Sequence, residues 1–136
     1  MDDNSHLRHI ENIVLLRNTP LFSGLAPSQL QRIAMSLRER RYEKGQKILE
    51  KGIAITTLLI IKEGSCSSKT EHYANGTVIK AAAVFIPNYI VREDIIADEH
   101  CSIVSLDQTE LYETLRNNPG TALRLIEWFA SKIESI

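Results

Sequence analysis

Cysteine is scarce in this chain of 136 residues: there are two, alongside one tryptophan and 6% aromatics. Cys66 and Cys101 cannot supply the disulfide framework of a small secreted domain. A chain of this length can bury a core without staples, so reduced thiols are expected. Long apolar runs are also missing. The uncharged stretch from Ala81 to Val91 is interrupted by Pro87 and falls well short of the roughly 20 residues of a spanning helix. The opening MDDNSHLRHIENIV starts acidic and has neither the basic nor the apolar region of a secretion signal, so a cytoplasmic setting is expected. Nor is one sign of charge in excess. Sixteen Lys and Arg against seventeen Asp and Glu leave a formal net charge of -1, with no surplus to neutralise phosphates, so direct binding of nucleic acid is not expected. His72, His100, Cys66 and Cys101 show no CxxC or HxxxH spacing, and no metal site is expected from them. Ser65, Ser67 and Ser68 lie in a turn-rich stretch without a nucleophile motif, and no nucleophile, base and orienter can be assembled, so the chain is not expected to be an enzyme.

What is present describes one folded domain. Hydrophobic residues make up 43% and charged residues 24%, the balance of a chain with a core. Leu7, Ile10, Ile13, Val14 and Leu16 recur at helical spacing behind the capping candidates Asn4 and Ser5, and Asn18-Thr19-Pro20 ends that helix. A second helix starts near Pro27 and sets Leu30, Ile33, Ala34 and Leu37 on one face, with Gln31, Arg32, Arg38 and Glu39 on the other. After Arg41 short β-branched and apolar runs alternate with Gly45, Gly52, Gly64 and Gly76. Thr56 to Lys62 is apolar on both faces, as in a strand buried between layers, Asn75-Gly76 is a turn, and Ala97 to Leu106 is a further strand. Asp107 and Glu110 mark the start of a short helix with Leu111 and Leu115 inward. Asn118, as N-cap, and Pro119 then open a long helix striped with Ala122, Leu125, Ile126, Phe129 and Ile133, with Trp128 off the stripe. The order is helices, strands, helices, with no βα alternation to imply a parallel sheet.

The segment PLFSGLAPSQLQRIAMSLRERRYEKGQKILEKG resembles the opening of the cyclic-nucleotide-binding domain family, which includes catabolite activator proteins and the regulatory subunits of cAMP-dependent kinase. The elements are Pro20-Leu21-Phe22, a helix, Tyr42, Lys44-Gly45-Gln46 and Ile48, Gly52, then LLIIKEG ending at Gly64, and Gly76. SIVSLDQTELYETLRNNP with the long helix after it resembles the family's closing strand and last helices. The resemblance implies a mainly β fold with flanking helices. It would be an antiparallel β-roll, jelly-roll-like, at about 41–107, between N-terminal helices at 1–40 and C-terminal helices at 108–136.

In that family a Gly-Glu pair holds the ribose, while an arginine, followed by a small residue and alanine, neutralises the cyclic phosphate beside backbone N–H groups. Lys80 and Ala81 stand here in place of the Gly-Glu pair. Val91 stands at the arginine, with Arg92 one residue on and Glu93 and Asp94 at the small positions. A one-residue offset in a strand turns a side chain to the opposite face. The stretch between Gly64 and Gly76 is also shorter than the family's strand pair. Two functions follow from the resemblance. One is a non-catalytic regulatory or interaction module with a degenerate cassette, serving as part of a larger protein or oligomer, with no cofactor. It would pair through its last helix in a homodimer or dock on another domain of the same protein. The other is a sensor of cAMP, cGMP or another small anion through a rebuilt site made of Lys80, Arg92 and the backbone around Ala81, Ala82 and Ala83.

Overall fold

The computed structural model describes residues 3–133. Two units contain them: the helices before Arg38 and after Gln108, and the strands from Arg38 to Gln108.

In the helical unit, α1 (Asp3–Arg17) already includes Asn4 and Ser5 within its first turn, where the sequence suggests caps ahead of it; their side chains lie outside the described residues. Its apolar stripe is not a buried one. Leu16 is buried and Ile13 half-buried, whereas Leu7, Ile10 and Val14 face solvent, and the polar Asn12 is buried instead. The helix α2 (Pro27–Ser36) starts at its proline, and the Gln29 side chain accepts the Ala26 N–H at 2.9 Å to close the first turn. Leu30, Ile33 and Ala34 are buried as their spacing predicts. Leu37 is extended and ends the helix, so Arg38 and Glu39 do not continue its polar face.

After the strands come α3 (Gln108–Arg116), with Leu111 buried, and α4 (Pro119–Ile133). The carbonyl of Asn118 accepts the Thr121 and Ala122 N–H groups that open α4. Its side chain does not act as the cap: Nδ2 donates to the Thr114 carbonyl at 2.7 Å and Oδ1 accepts from Gln29, so the amide ties α3 to α2. Along α4, Leu125 is buried, Ala122 and Phe129 are half-buried and Ile126 is exposed; the side chain of Ile133 lies outside the described residues. Trp128 and Phe129 pack ring against ring with centroids 4.9 Å apart.

The strand unit is two four-stranded antiparallel sheets. In the first, β1 (Arg38–Tyr42) pairs with β8 (Cys101–Asp107), which pairs with β3 (Thr57–Glu63), which pairs with β6 (Val78–Ile79). In the second, the order is β2 (Lys47–Leu49), β7 (Ile95–Ala97), β4 (Cys66–Ser67) and β5 (His72–Tyr73). The hairpin of β4 and β5 has two residues per strand, the short strand pair that the spacing of Gly64 and Gly76 announces.

Two expectations shift here. The β region begins at Arg38, earlier than the change of composition after Arg41, because a five-residue ladder with β8 holds RERRY extended. Ala97 to Leu106 is two strands. The Asp98 N–H donates to the Ser65 carbonyl at 3.0 Å and its carboxylate accepts the Ser67 hydroxyl at 2.6 Å, which fixes a turn between β7 and β8. Both central strands of the first sheet are buried on both faces: Leu58, Ile60 and Ile61 in β3, and Cys101, Ile103, Val104 and Leu106 in β8. Tyr42, Ile61, Cys66, Ile79, Ile95, Cys101 and Ile103 form one core cluster with members from both sheets. The two thiols are free, and burial pushes that of Cys66 up to about 12.

Candidate functional site

The stretch that the resemblance marks for chemistry leaves β6 at Ile79 and returns as β7 at Ile95. Gly76 makes the turn into β6 at φ +85, with its N–H on the Ile61 carbonyl at 2.8 Å. Lys80 ends the strand at φ +50, a left-handed conformation uncommon outside glycine and asparagine. Its ammonium lies 2.8 Å from Oε1 of Glu71, and the Tyr73 hydroxyl donates to the same oxygen at 2.9 Å. The lysine's hydrogen bond is the chief reason the Glu71 carboxyl is held below its usual range. Ala81 is half-buried and Ala82 exposed, and a single 3-10 turn follows at Ala83–Phe85. The Ala83 N–H, one of the donors that an anion site here calls on, is bonded to the Lys80 carbonyl at 2.9 Å.

Which way the next residues face is decided by a second backbone pairing. Residues 52–55 run antiparallel to residues 89–91: Gly52 N–H donates to the Val91 carbonyl, Val91 N–H to Ile53 and Ile55 N–H to Tyr89, each at 2.9 Å, around an Ala54–Ile90 bridge. Val91 is held inward at 1% exposure and shares a core cluster with Ile55 and Ala83, against which Leu49 and Tyr89 pack. Arg92 is exposed, as strand alternation requires.

Arg92 borders an open pocket of about 590 Å³ that Lys51, Ser67, Lys69 and Ile96 also line. The three carboxylates at this pocket have their own donors. Glu93 accepts the Thr70 hydroxyl at 2.7 Å, and Asp94 accepts the Lys51 backbone N–H at 2.8 Å with the Lys47 ammonium 3.4 Å away. Asp98 accepts from Ser67 and has the His72 ring 3.5 Å away. The Thr70 and Lys51 bonds, foremost among their causes, hold Glu93 and Asp94 below the usual carboxylate range. Of the four sequence-predicted positions this pocket is lined by Arg92, while Lys80, Ala81 and Ala82 are not among its lining residues. Sequence reading missed Lys51, Lys69 and Glu71. Only the fold places the first two beside Arg92, and Glu71 reaches Lys80, nine residues on, across the turn that leads from β5 in one sheet to β6 in the other.

Solved structures place this arrangement of sheets. The sensor domain of the transcriptional regulator DNR from Pseudomonas aeruginosa superposes with a TM-score of 0.83 at 17% identity, covering 93% of this chain and 91% of that one. The fold is that of a cyclic-nucleotide-binding domain. The regulatory domain of Toxoplasma gondii PKA, crystallised with cAMP, matches this domain with a TM-score of 0.76 at 18% identity, over 96% of this chain and 52% of that one. The regulatory subunit of a cAMP-independent protein kinase A from Trypanosoma brucei, a triple mutant bound to cAMP, matches with a TM-score of 0.72 at 21% identity, over 96% and 53%. The domain thus spans about half the length of these kinase regulatory chains. No protein-family model matches the sequence, and a search of curated proteins returns no match.

Proposed function

We propose that this domain is a non-catalytic regulatory or interaction module, part of a larger cytoplasmic regulator, that does not take cAMP or cGMP in the family's usual way. Val91 carries the reading. At the position where the resemblance places the phosphate-binding arginine, an aliphatic side chain at 1% exposure fills the space between Ile55 and Ala83. A cyclic phosphate set there would find no counter-charge, and stripping an anion of water without pairing it is strongly unfavourable. Lys80 and Arg92 do not repair this, since the first is spent on Glu71 and the second is exposed outside that cluster. The T. brucei neighbour offers a parallel: its kinase is described as cAMP-independent, and the form bound to cAMP carries three substitutions, one of them to arginine. Exposed Leu123 and Ile126 on α4 support association through the last helix, with a second copy or with another domain of the same protein.

The test is thermal unfolding with and without millimolar cAMP and cGMP. A ligand at one hundred times its dissociation constant adds about 2.7 kcal/mol and raises the midpoint by several degrees. No shift is expected, and a reproducible shift with either nucleotide refutes the reading. A second reading, a sensor of another small anion, draws on the pocket that Arg92 shares with Lys51 and Lys69. It predicts an anion whose affinity drops on Arg92→Ala, and unchanged affinity rules it out.

A further inference from the structure

The first sheet ends in an arginine-rich strand with an open side. Among the described residues β1 pairs with β8 alone, through Arg38–Ser105 to Tyr42–Cys101. In an antiparallel ladder alternate residues of an edge strand turn both N–H and C=O away from their neighbour, so β1 offers donors and acceptors to one more strand. The side chains along this edge are of one sign. Arg38, Arg40 and Arg41 are exposed and have no carboxylate partner among the described residues. The strand's own carboxylate is committed, since Glu39 accepts from the Lys62 ammonium at 3.0 Å and from the Ser102 hydroxyl at 2.6 Å. The Arg40 guanidinium lies over the Tyr42 ring, 5.1 Å from its centroid, which holds the cation at the edge while its in-plane N–H fork stays available to a carboxylate.

Charges on an edge strand commonly serve only to keep other strands away. That purpose needs no single sign. Here three uncompensated arginines sit along five residues of a chain whose formal net charge is -1.

We propose that β1 is a docking edge for an extended acidic segment of a protein partner, added as a further strand, with Asp or Glu at alternate positions. Backbone hydrogen bonds hold such a segment, and alternation sets its acidic side chains on the face of Arg38 and Arg40, with Arg41 on the other. The inference deepens the reading of the domain as an interaction module, and its test is separate: a nucleotide can bind or not while the edge is filled or empty.

The probe is a fluorescein-labelled octapeptide alternating Glu and Val, followed by anisotropy. Three comparators accompany it: a Lys–Val octapeptide, the Glu–Val peptide N-methylated at alternate amides, and a single-stranded oligonucleotide of the same length. Saturable binding of the Glu–Val peptide is expected, with amide exchange of Arg38–Tyr42 slowed. N-methylation, and separately the triple variant Arg38→Gln, Arg40→Gln, Arg41→Gln, should each weaken it at least about tenfold. Unchanged thermal unfolding of the triple variant checks its fold, and single Arg38→Gln and Arg40→Gln variants carry the test if it melts early. The proposal is overturned by absence of saturable binding, by indifference to N-methylation or to the glutamines, or by tighter binding of the oligonucleotide.

Discussion

Replacing Val91 by arginine restores the charge that the resemblance expects at the phosphate position and puts it where an aliphatic side chain now sits. Val91 packs with Ile55 and Ala83, and its backbone is fixed by hydrogen bonds to Gly52 and Ile53, so the new side chain cannot be turned outward without breaking that pairing. Overfilling the cluster costs about 1–3 kcal/mol. A buried guanidinium with no partner adds about 3–5 kcal/mol. The sum, about 4–8 kcal/mol, is comparable with the whole stability of a small domain, about 5–15 kcal/mol. Val91→Arg should therefore be largely unfolded or strongly destabilised, Val91→Ala should lose about 2 kcal/mol through its missing methyl groups and the void they leave, and Arg92→Ala should stay within about 0.5 kcal/mol of the parent. Urea denaturation followed by far-UV circular dichroism, with and without cAMP, measures all three. If Val91→Arg stays within about 1 kcal/mol of the parent and gains a cAMP-dependent shift, the cluster yields to a ready-made anion cavity and the reasoning fails.

Other residues give further tests. A Cβ on Gly64 would lie 2.5 Å from the His100 carbonyl oxygen and 3.0 Å from Sγ of Cys101, at φ +97. Gly64→Ala should cost about 3 kcal/mol or more by urea denaturation, against about 1 kcal/mol for Gly76→Ala, where φ is +85 and the space is open. Glu71 is more acidic in the folded state than its ordinary value near 4.5, so its contribution is present above that value and is lost as pH falls through the folded value. Acid titration of stability should be shallower below pH about 4.5 in Glu71→Gln than in the parent. The Cys66 thiol is raised to about 12, so the folded form favours it protonated and stability should fall as pH rises from the ordinary value of 9 towards 12. In the native state at pH about 8 it should resist a thiol reagent that reacts at once after unfolding in urea.

The helices were legible where proline marks a start and spacing marks a face: Pro27 and the buried set Leu30, Ile33 and Ala34, then Pro119 with Leu125. The strands were legible where composition is extreme, as in β3, whose apolar residues fill both faces at the centre of a sheet. What could not be read locally depends on partners far along the chain. RERRY carries a charge pattern that suits the polar face of a helix, and it is extended because β8, some sixty residues later, ladders against it. Asp98 breaks an otherwise continuous strand because Ser65 and Ser67 reach it from the neighbouring hairpin. At the candidate site, alignment by sequence put Val91 opposite the expected arginine. That Val91 faces in and Arg92 out is set by the pairing of residues 52–55 with 89–91, which no local motif announces.

The same pairing sets a small aliphatic cluster apart from the larger one that joins the two sheets. The larger cluster, from Tyr42 and Ile61 to Cys101 and Ile103, draws on strands of both sheets and contains no Asp, Glu, Lys, Arg or His. Burial of these apolar groups stabilises it together with the ladders that join the strands. The smaller cluster of Ile55, Ala83 and Val91 is where the resemblance sets an arginine and a phosphate, and aliphatic packing supplies there the contacts that a bound anion and its counter-charge would otherwise make. On the proposed reading the fold is stable without ligand, and any signal it carries enters at its surface, through exposed groups that the core leaves unpaired. Arg38, Arg40 and Arg41 on the edge of the first sheet are groups of that kind, and they share no residue with the cluster around Val91. Variants of the two regions should therefore combine additively: a double variant of Val91→Ala with Arg38→Gln should lose stability as Val91→Ala does and lose peptide binding as Arg38→Gln does, each within about 0.5 kcal/mol.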